Sequence, residues 1–307
     1  MVTLVRAANP SPMTLSGTNS YVLDCGANAA LVIDPGPPLP AHFDALVEAA
    51  AASGSAIRHI VLTHGHPDHT AGAATLAART GARVYAHPAC RVAHDVDLPL
   101  EAELTINSLS LRTMDAPGHS FDHAIFYLAP ERALFTGDTI LGEGTSVVAP
   151  PGGAMPAYLR TLARLSQEFA GARTIYPGHG PIVEDAPAKI AEYIAHRHMR
   201  EGQIAAALSA GPRTIPDLVR EIYSQQRVAL WPAMARQILA HLLALEEQGR
   251  VESSPAGRAP SPAEFEMLNP DLEAIVGAQE AALLQAELGT QMRLDSFDEY
   301  RLVKGAQ

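Results

Sequence analysis

The chain has 307 residues, of which 47% are hydrophobic and 18% are charged, so it can bury a sizeable core and has the composition of neither a disordered chain nor a coiled coil. Its formal net charge of -11 disfavours non-specific binding to nucleic acid, which needs clustered Lys and Arg. Two cysteines do not form a disulfide framework, and the sequence shows neither a signal peptide nor an apolar stretch long enough to span a bilayer. We therefore expect a cytoplasmic protein with no membrane partner.

Strands and helices alternate over the first part of the chain. Residues 19–34 predict two strands around a Gly-Ala-Asn turn, and a helix over 41–53 and a buried strand over 57–63 follow. This mixture predicts a layered α/β domain over residues 1–187. The remaining elements predicted there are helices over 70–80 and 155–169 and strands over 82–86, 108–114, 124–128, 133–135 and 174–176.

The pattern becomes helical after residue 187. Periodicity predicts helices over 188–208 and 230–248, and TIPDLVREIY between them predicts a short helix capped by Thr214. A strand follows the third helix, and three helices followed by a strand are typical of a winged-helix domain. A last helix is expected over 269–288. The expected domains are the layered domain over 1–187, the winged helix over 188–252, and a linker with a helical extension over 253–307.

The segment HGHPDH concentrates side chains that bind metals. His64, His66, Asp68 and His69 lie within six residues, directly after the buried strand 57–63. Zinc takes imidazole nitrogens and carboxylate oxygens and prefers about four ligands. Because a tight turn points these four side chains in different directions, they suit two neighbouring ions better than one.

Three later strands each end in a glycine followed by another candidate ligand: His119 in PGH, Asp138 in TGD and His179 in PGHG. A lone His or Asp after a strand is usually a turn residue, but these motifs recur in order after HGHPDH. Active sites in α/β proteins gather at the carboxyl ends of strands, so we expect the motifs to converge. The predicted metal ligands are His64, His66, Asp68, His69, His119, Asp138 and His179.

With these motifs, residues 17–185 resemble the metallo-β-lactamase-fold hydrolase superfamily. The resemblance implies a four-layer αβ/βα sandwich with two metal ions at one edge. It also implies how the ligands divide: His64, His66 and His119 would hold one zinc, Asp68, His69 and His179 would hold the other, and Asp138 would bridge both.

Departures from relatives narrow the implied activity. Zinc β-lactamases are exported and carry a cysteine at the position of Asp138, and flavodiiron oxygen reductases carry a glutamate at the position of His66. The segments GTNSYVL, LFTGDTILGEG and LWPAMARQILAHLLALEEQGRV resemble the β-lactamase-like protein 2 and glyoxalase II-like group, which has a C-terminal winged helix. That resemblance implies either hydroxyacylglutathione-hydrolase-like or endoribonuclease activity.

The leading hypothesis is a binuclear zinc-dependent hydrolase in which a metal-bridging hydroxide, oriented by the catalytic Asp68, attacks an ester or thioester carbonyl. The alternative is a metal-dependent endoribonuclease acting on single-stranded RNA. Residues 188–252 carry eight basic and seven acidic residues, so they predict no clear basic face for RNA. A third hypothesis is a winged-helix binding protein with a vestigial metal site, but the intact ligand set argues against it. Iron or manganese in place of zinc, and a homodimer, stay open.

Four residues outside the ligand set are candidates for orienting ligands, because a ligating His usually donates its second N–H to an acceptor. Asp34 is the first choice, although it also suits an ordinary strand-end turn. His123 suits either this role or that of a core histidine, and Tyr176 and Asn19 are weaker candidates. In the winged-helix segment, Arg197 and Arg200 suit either anion binding or a solvated helix surface.

Overall fold

The computed structural model describes residues 2–269, 271 and 297–303. The chain divides into two compact units, which we call the catalytic unit and the winged-helix unit. The catalytic unit comprises Met1–Ser146 and Arg164–Ala191, and the winged-helix unit comprises Val147–Ala163 and Glu192–Gln307. The domain boundaries expected at residues 187 and 252 stay predictions.

A six-stranded sheet begins the catalytic unit. Its strands, in both chain and spatial order, are β1 (Val2–Arg6), β2 (Asn19–Gly26), β3 (Ala29–Ile33), β4 (Ala56–Val61), β5 (Arg83–Ala86) and β6 (Val96–Asp97). The first three strands pair antiparallel, and β3 to β6 pair parallel. The carboxyl ends of β3, β4 and β5 therefore lie at one edge of this sheet.

A five-stranded sheet has the spatial order β11-β10-β9-β8-β7. Its strands are β7 (Glu103–Ile106), β8 (Leu109–Asp115), β9 (Ala124–Leu128), β10 (Ala133–Gly137) and β11 (Thr174–Pro177). Strands β10 and β11 are parallel, and the other pairs are antiparallel. Parallel pairing places the carboxyl ends of β10 and β11 side by side.

Each sheet buries one face against the other and covers its second face with helices. Along β3, Leu31 and Ile33 join the core between the sheets, whereas Ala30 and Val32 join a second core under the helices. This alternation follows from the two-residue period of a strand. Helices α1 (Pro40–Ala52) and α3 (Ala73–Thr80) cover the six-stranded sheet.

The second sheet is covered at the end of α4 (Met155–Glu168). There the ring of Phe169 packs against Tyr127, with the ring centroids 4.9 Å apart. Arg164 donates to both carboxylate oxygens of Glu101. The predicted four-layer αβ/βα sandwich is therefore confirmed.

The helix predicted over 70–80 is interrupted. The structure has a short helix α2 (Pro67–Thr70), and Gly72 then precedes α3. A Cβ on Gly72 would lie 2.7 Å from the carbonyl oxygen of Gly36 and 2.8 Å from the ring of Phe43. The Gly72 N–H donates to the Gly36 carbonyl oxygen at 2.8 Å instead of to the preceding turn of helix, which explains the break, and helical periodicity does not reveal this contact.

The winged-helix unit contains a small sheet and a helical core. Its strands have the spatial order β12-β14-β13, and Ile204, Leu218, Leu242 and Val251 are buried together in the core. The predicted cap Thr214 is confirmed, since its side chain accepts from the Asp217 N–H in a reciprocal capping box. The elements are α5 (Ala186–Ser209), β12 (Arg213–Thr214), α6 (Ile215–Ile222), α7 (Trp231–Glu247), β13 (Val251–Pro255), α8 (Pro262–Leu268) and β14 (Asp298–Leu302).

Part of the segment expected to be a linker and helical extension forms a strand. Strand β14 pairs antiparallel with both β12 and β13, so it is the central strand of the small sheet. Most of the helix predicted over 269–288 lies outside the described residues. Over the described part of the chain, no helix combines the length and apolar character that crossing a membrane requires.

Candidate metal centre

The HGHPDH loop begins where the parallel strand β4 ends, and α2 follows within the motif. Pro67 stands in the first turn of α2, where its missing N–H costs nothing and its fixed φ suits the helix. The short helix carries Asp68 and His69, and both side chains are buried. At Gly65, a Cβ would lie 2.5 Å from Oδ2 of Asp122, so a larger residue there would displace that side chain. Pro67 therefore restricts the loop, and Gly65 leaves room for Asp122.

The other three candidate ligands follow strands of the second sheet. His119 lies between β8 and β9, Asp138 follows β10, and His179 follows β11. Because β10 and β11 are parallel neighbours, they bring Asp138 and His179 to the same edge. A Cβ on Gly178 would overlap Oδ1 of Asp138, so only a glycine at this position lets the loop after β11 approach Asp138. The structure thus brings together all seven predicted ligands, all buried: His64, His66, Asp68, His69, His119, Asp138 and His179.

The first cluster consists of three imidazoles, those of His64, His66 and His119. Their candidate ligand atoms lie within 4.8 Å of one another. Nδ1 of His66 is 2.9 Å from Nε2 of His64 and 3.1 Å from Nε2 of His119. Three nitrogens therefore face a common point, as ligands of one cation would.

The second cluster adds two carboxylates to two imidazoles. The candidate ligand atoms of Asp68, His69, Asp138 and His179 also lie within 4.8 Å of one another. Oδ2 of Asp138 is 3.3 Å from Nε2 of His179 and 3.9 Å from Nε2 of His119, which belongs to the first cluster. The carboxylate of Asp138 therefore faces both clusters.

The donor set fits metal cations. Oδ2 of Asp68 and Oδ1 of Asp138 are buried and receive no hydrogen bond, although imidazole nitrogens lie 3.0–3.4 Å away. A buried carboxylate oxygen without a partner is costly, and a cation would satisfy it. The nitrogens of His69 and His179 also face each other at 3.2 Å. Ligand chemistry and unsatisfied oxygens together indicate a site for metal ions.

The two clusters differ in their electrostatics. In the first cluster, burial and the neighbouring His119 lower the pKa of His66 to about 3, and burial with His69 lowers that of His64 well below its usual value. These imidazoles are therefore neutral, which is the form that binds a metal.

The carboxylates reverse this effect in the second cluster. Burial alone would lower the pKa of His179, but Asp138 and Asp68 raise it to about 10. Burial alone would likewise raise the pKa of Asp68, but His69 and His179 hold it at about 2. A cation entering this cluster must therefore displace protons from the imidazoles.

Asp34 orients ligands of both clusters. Its Oδ2 lies 2.8 Å from Nδ1 of His69 and accepts the Thr63 hydroxyl at 2.7 Å, while Oδ1 accepts the Thr63 N–H at 2.8 Å. Because the Thr63 hydroxyl donates to Asp34, its oxygen is left to accept from Nδ1 of His64, 3.0 Å away. Asp34 thus acts directly on the second cluster and through Thr63 on the first.

Asp34 is itself held in a strained backbone conformation. It is a non-glycine residue with a φ of 53°, in the left-handed region. The Ser20 hydroxyl donates to the Asp34 carbonyl oxygen, and Nε2 of His42 lies 2.9 Å from the same hydroxyl. Burial lowers the pKa of His42 to about 4, so this imidazole is neutral and Nε2–H can donate to Ser20.

Two further candidate ligands, His119 and His179, also have partners at their second nitrogen. Oγ of Ser146 lies 3.0 Å from Nδ1 of His119, and the Gly17 carbonyl oxygen lies 3.4 Å from Nδ1 of His179. No sequence motif pointed to Ser146 or Thr63 as contacts of the ligand histidines. A polar residue directly before HGHPDH, at the end of a buried strand, was the only signal for Thr63.

The other predicted orienting residues have different positions. His123 contacts the site, and Asn19 donates to the carbonyl oxygens of Pro177 and Gly180 on either side of His179. Tyr176 stacks on Phe135 in the core. Asn19 therefore stabilises the loop that carries His179, and Tyr176 contributes to core packing.

The two arginines considered for anion binding lie in the winged-helix unit. Arg197 is buried with its guanidinium 4.9 Å from the ring centroid of Tyr158, so the prediction of a solvated surface charge is wrong for this residue. Arg200 stacks on Tyr223 at 4.5 Å.

An αβ/βα sandwich that carries these clusters at one edge defines a metal-dependent hydrolase. Residues 13–179 match the family model of the Metallo-beta-lactamase superfamily, and residues 214–258 match the Beta-lactamase associated winged helix domain. The chain therefore belongs to the metallo-beta-lactamase superfamily. The predicted family, sandwich, winged helix and hydrolase class are confirmed.

Two relatives and one solved structure illustrate the similarity. The chain is 33% identical over 261 residues to a Beta-lactamase-like protein 2 homolog of Caenorhabditis elegans, covering 82% of this chain and 86% of that protein. It is 32% identical over 272 residues to an Atrochrysone carboxyl ACP thioesterase of Aspergillus chevalieri, covering 82% and 79%. A metallo-beta-lactamase family protein of Thermus thermophilus superposes with a TM-score of 0.69 at 25% identity, covering 82% and 95%.

Proposed function

We propose that this protein is a binuclear zinc hydrolase of esters and thioesters. The observation that carries the proposal is the pair of adjoining clusters, three imidazoles beside two imidazoles and two carboxylates, with Asp138 facing both. His64, His66 and His119 would hold one ion, and Asp68, His69 and His179 the other. Four ligands per ion, counting Asp138 twice, match the coordination that zinc prefers.

Zinc ions held there would lower the pKa of a water molecule to about 7 and stabilise the negative charge that develops on the substrate oxygen. Asp68 is the residue that we expect to orient the attacking water. Its carboxylate has two oxygens, so one could face the ion while the other accepts a proton of that water. Asp34 and Thr63 keep His69 and His64 in the orientation that points their Nε2 atoms into the site.

A thioester carbonyl is the substrate group that this site suits best. A thiolate leaves readily without a proton donor, since an ordinary thiol has a pKa near about 8.5. Because the histidines of the two clusters are all candidate ligands, none of them would be available as a proton donor. A thiolate leaving group does not require one. One relative bears the name of a thioesterase that acts on a carrier-protein substrate, which supports the same bond type here.

Parallel assays on the full-length chain test the substrate class. We expect hydrolysis of acyl-glutathione or acyl-CoA thioesters and no cleavage of a single-stranded RNA oligomer. Asp68→Asn should lower thioester kcat/KM by more than about 100-fold, because the loss of a ligand should exceed the effect of a lost outer partner. Asp44→Asn, which changes an exposed carboxylate paired with Arg79, is the matched control.

RNA cleavage that disappears in the Asp68 variant, without thioesterase activity, would overturn the ester and thioester proposal. Metal analysis of the purified protein should find two zinc ions per chain, and iron or manganese would correct the metal. The endoribonuclease alternative, a homodimer and the cytoplasmic location stay predictions.

A further inference from the structure

His123 is a fully buried histidine that lies beside both clusters but is not among the predicted ligands. It immediately precedes β9. Its ring stacks on the ligand His64, with the centroids 4.8 Å apart and the planes inclined by 16°. Its Nε2 lies 3.2 Å from the backbone nitrogen of Asp138.

The hydrogen bond to Asp138 fixes the tautomer of His123. A backbone N–H can only donate, so Nε2 must accept and carries no proton. The proton is therefore on Nδ1, which faces the hydroxyl oxygen of Thr139 at 3.5 Å. In this form His123 presents a lone pair to the amide of Asp138.

The chain before Asp138 is shaped to permit this contact. Gly137 has a φ of 45°, and a Cβ there would lie 2.8 Å from Nε2 of His123 and 2.7 Å from Oγ1 of Thr63. Only glycine therefore lets His123 and Thr63 approach this part of the backbone together. The amide of Asp138 is held from one side by an imidazole that also packs on His64.

We propose that His123 is a positioning residue that sets the direction of the Asp138 carboxylate through its backbone amide, and so controls metal affinity. The proposal rests on the proposed role of Asp138 as a ligand of both ions. The carboxylate is only a few bonds from the amide, so releasing the amide lets the carboxylate move. An ordinary core histidine would act only through its volume and its ring stacking. A phenylalanine at this position would retain both properties.

Three substitutions separate the hydrogen bond from the packing. In His123→Gln, the amide oxygen can occupy the position of Nε2 and accept from Asp138. In His123→Asn, the side chain reaches only the position of Nδ1. His123→Phe keeps the ring but has no acceptor, and His59→Gln, at a half-buried histidine that contacts Tyr85, controls for the loss of an imidazole.

The measurement is competitive titration of the full chain with zinc against a chromophoric chelator, together with the absorption spectrum of the cobalt-substituted protein and the Tm. We expect the Asn and Phe variants to bind metal about 10–100-fold more weakly, the range typical of lost outer partners. The Gln and His59 variants should bind like wild type. A role in packing alone would instead lower the Tm of the Gln and Asn variants alike and leave Phe close to wild type.

Wild-type affinity in the Phe variant, or equal losses in Gln and Asn, would overturn the role of His123 while leaving the proposed function intact. If the Phe variant does not fold, the comparison of the Gln and Asn variants still distinguishes the hydrogen bond from packing. A wild-type chain that binds no zinc would overturn both the function and this inference.

Discussion

The second cluster of the catalytic unit and the core of the winged-helix unit both bury histidines, but their surroundings shift the imidazole pKa in opposite directions. In the catalytic unit, nitrogens and oxygens from separate loops face one another, and Asp138 and Asp68 raise the pKa of His179 to about 10. In the winged-helix unit, burial and nearby Arg197 lower the pKa of His241 to about 3, so this buried imidazole is neutral.

The buried arginines of the winged-helix unit have polar or aromatic contacts but belong to no cluster of candidate metal ligands. Burial lowers the pKa of Arg236 to about 10, and its guanidinium donates to the Leu268 carbonyl oxygen. Arg197 stacks on Tyr158. Burial of charge is therefore not by itself the mark of a site. The mark is the convergence of several imidazole and carboxylate groups whose candidate ligand atoms face one another, which among the described residues only the catalytic unit shows.

The largest effect should come from a substitution at Asp138, the predicted ligand whose carboxylate faces both clusters. Asp138→Ala removes the carboxylate that faces both clusters, so we expect loss of both metals or of most activity. The loss should exceed the decrease of about 10–100-fold that is typical when a residue hydrogen-bonded to a metal ligand is replaced. Metal content and kcat/KM measure it, and Asp44→Ala is the exposed control. Two retained metals with near-normal turnover would contradict the bridging role.

A smaller effect is expected at Asp34, which contacts the second cluster directly and the first through Thr63 without being a predicted ligand. In Asp34→Asn, one acceptor oxygen becomes an NH₂ that cannot accept from Thr63 or His69. We expect zinc affinity to fall by about 10–100-fold at both positions. Equilibrium dialysis measures the affinity of each step.

Asp24→Asn is the matched control for Asp34. Asp24 also accepts a backbone N–H and a hydroxyl, from Gly26 and Ser55, but it contacts no ligand. A fall in affinity of the same size in both variants would show that Asp34 acts through folding rather than through ligand orientation.

In the winged-helix unit, His241 should affect the pH dependence of stability rather than metal content. The unfolded chain protonates this imidazole near pH 6.5, whereas the folded chain keeps it neutral to about pH 3. The unfolded state therefore binds more protons between these values, and stability falls as the pH falls through this window. The contribution is about 1.4 kcal/mol per pH unit.

His241→Gln removes this titration, so its free energy of unfolding should fall less steeply with acidification than that of wild type. Urea unfolding at about pH 7 and about pH 5, on either side of the protonation of the unfolded state, measures the difference. Parallel curves for the two proteins would show that His241 is protonated in the folded state, contrary to its burial.

The smallest effect is expected at the cap of α6. Thr214→Ala removes the reciprocal hydrogen bonds with Asp217, which should cost about 1 kcal/mol of stability. Urea unfolding measures this cost, and zinc content should not change. Loss of zinc in this variant would contradict the expectation that changes in the winged-helix unit affect stability and not metal content.

The catalytic unit was the more predictable of the two from its sequence. Its ligand motifs each follow an apolar strand, and short apolar runs such as β3 and β9 predict strands that are buried along nearly their whole length. The break at Gly72 was missed because it depends on Phe43 and Gly36, which lie far from it in sequence. Strands β6 and β12 have only two residues each, too few for a periodic signal.

The sequence by itself determined the candidate ligands and the layered fold, because apolar strand runs, helical periodicity and glycine-containing motifs are local patterns. Only the tertiary structure decided what orients those ligands. Asp34 meets Thr63 across 29 residues, and His123 meets the Asp138 amide across 15. It also decided that β14 lies between β12 and β13. The physical reason is that hydrogen bonds between distant segments form only after the chain has packed, and no local pattern encodes which segments will meet.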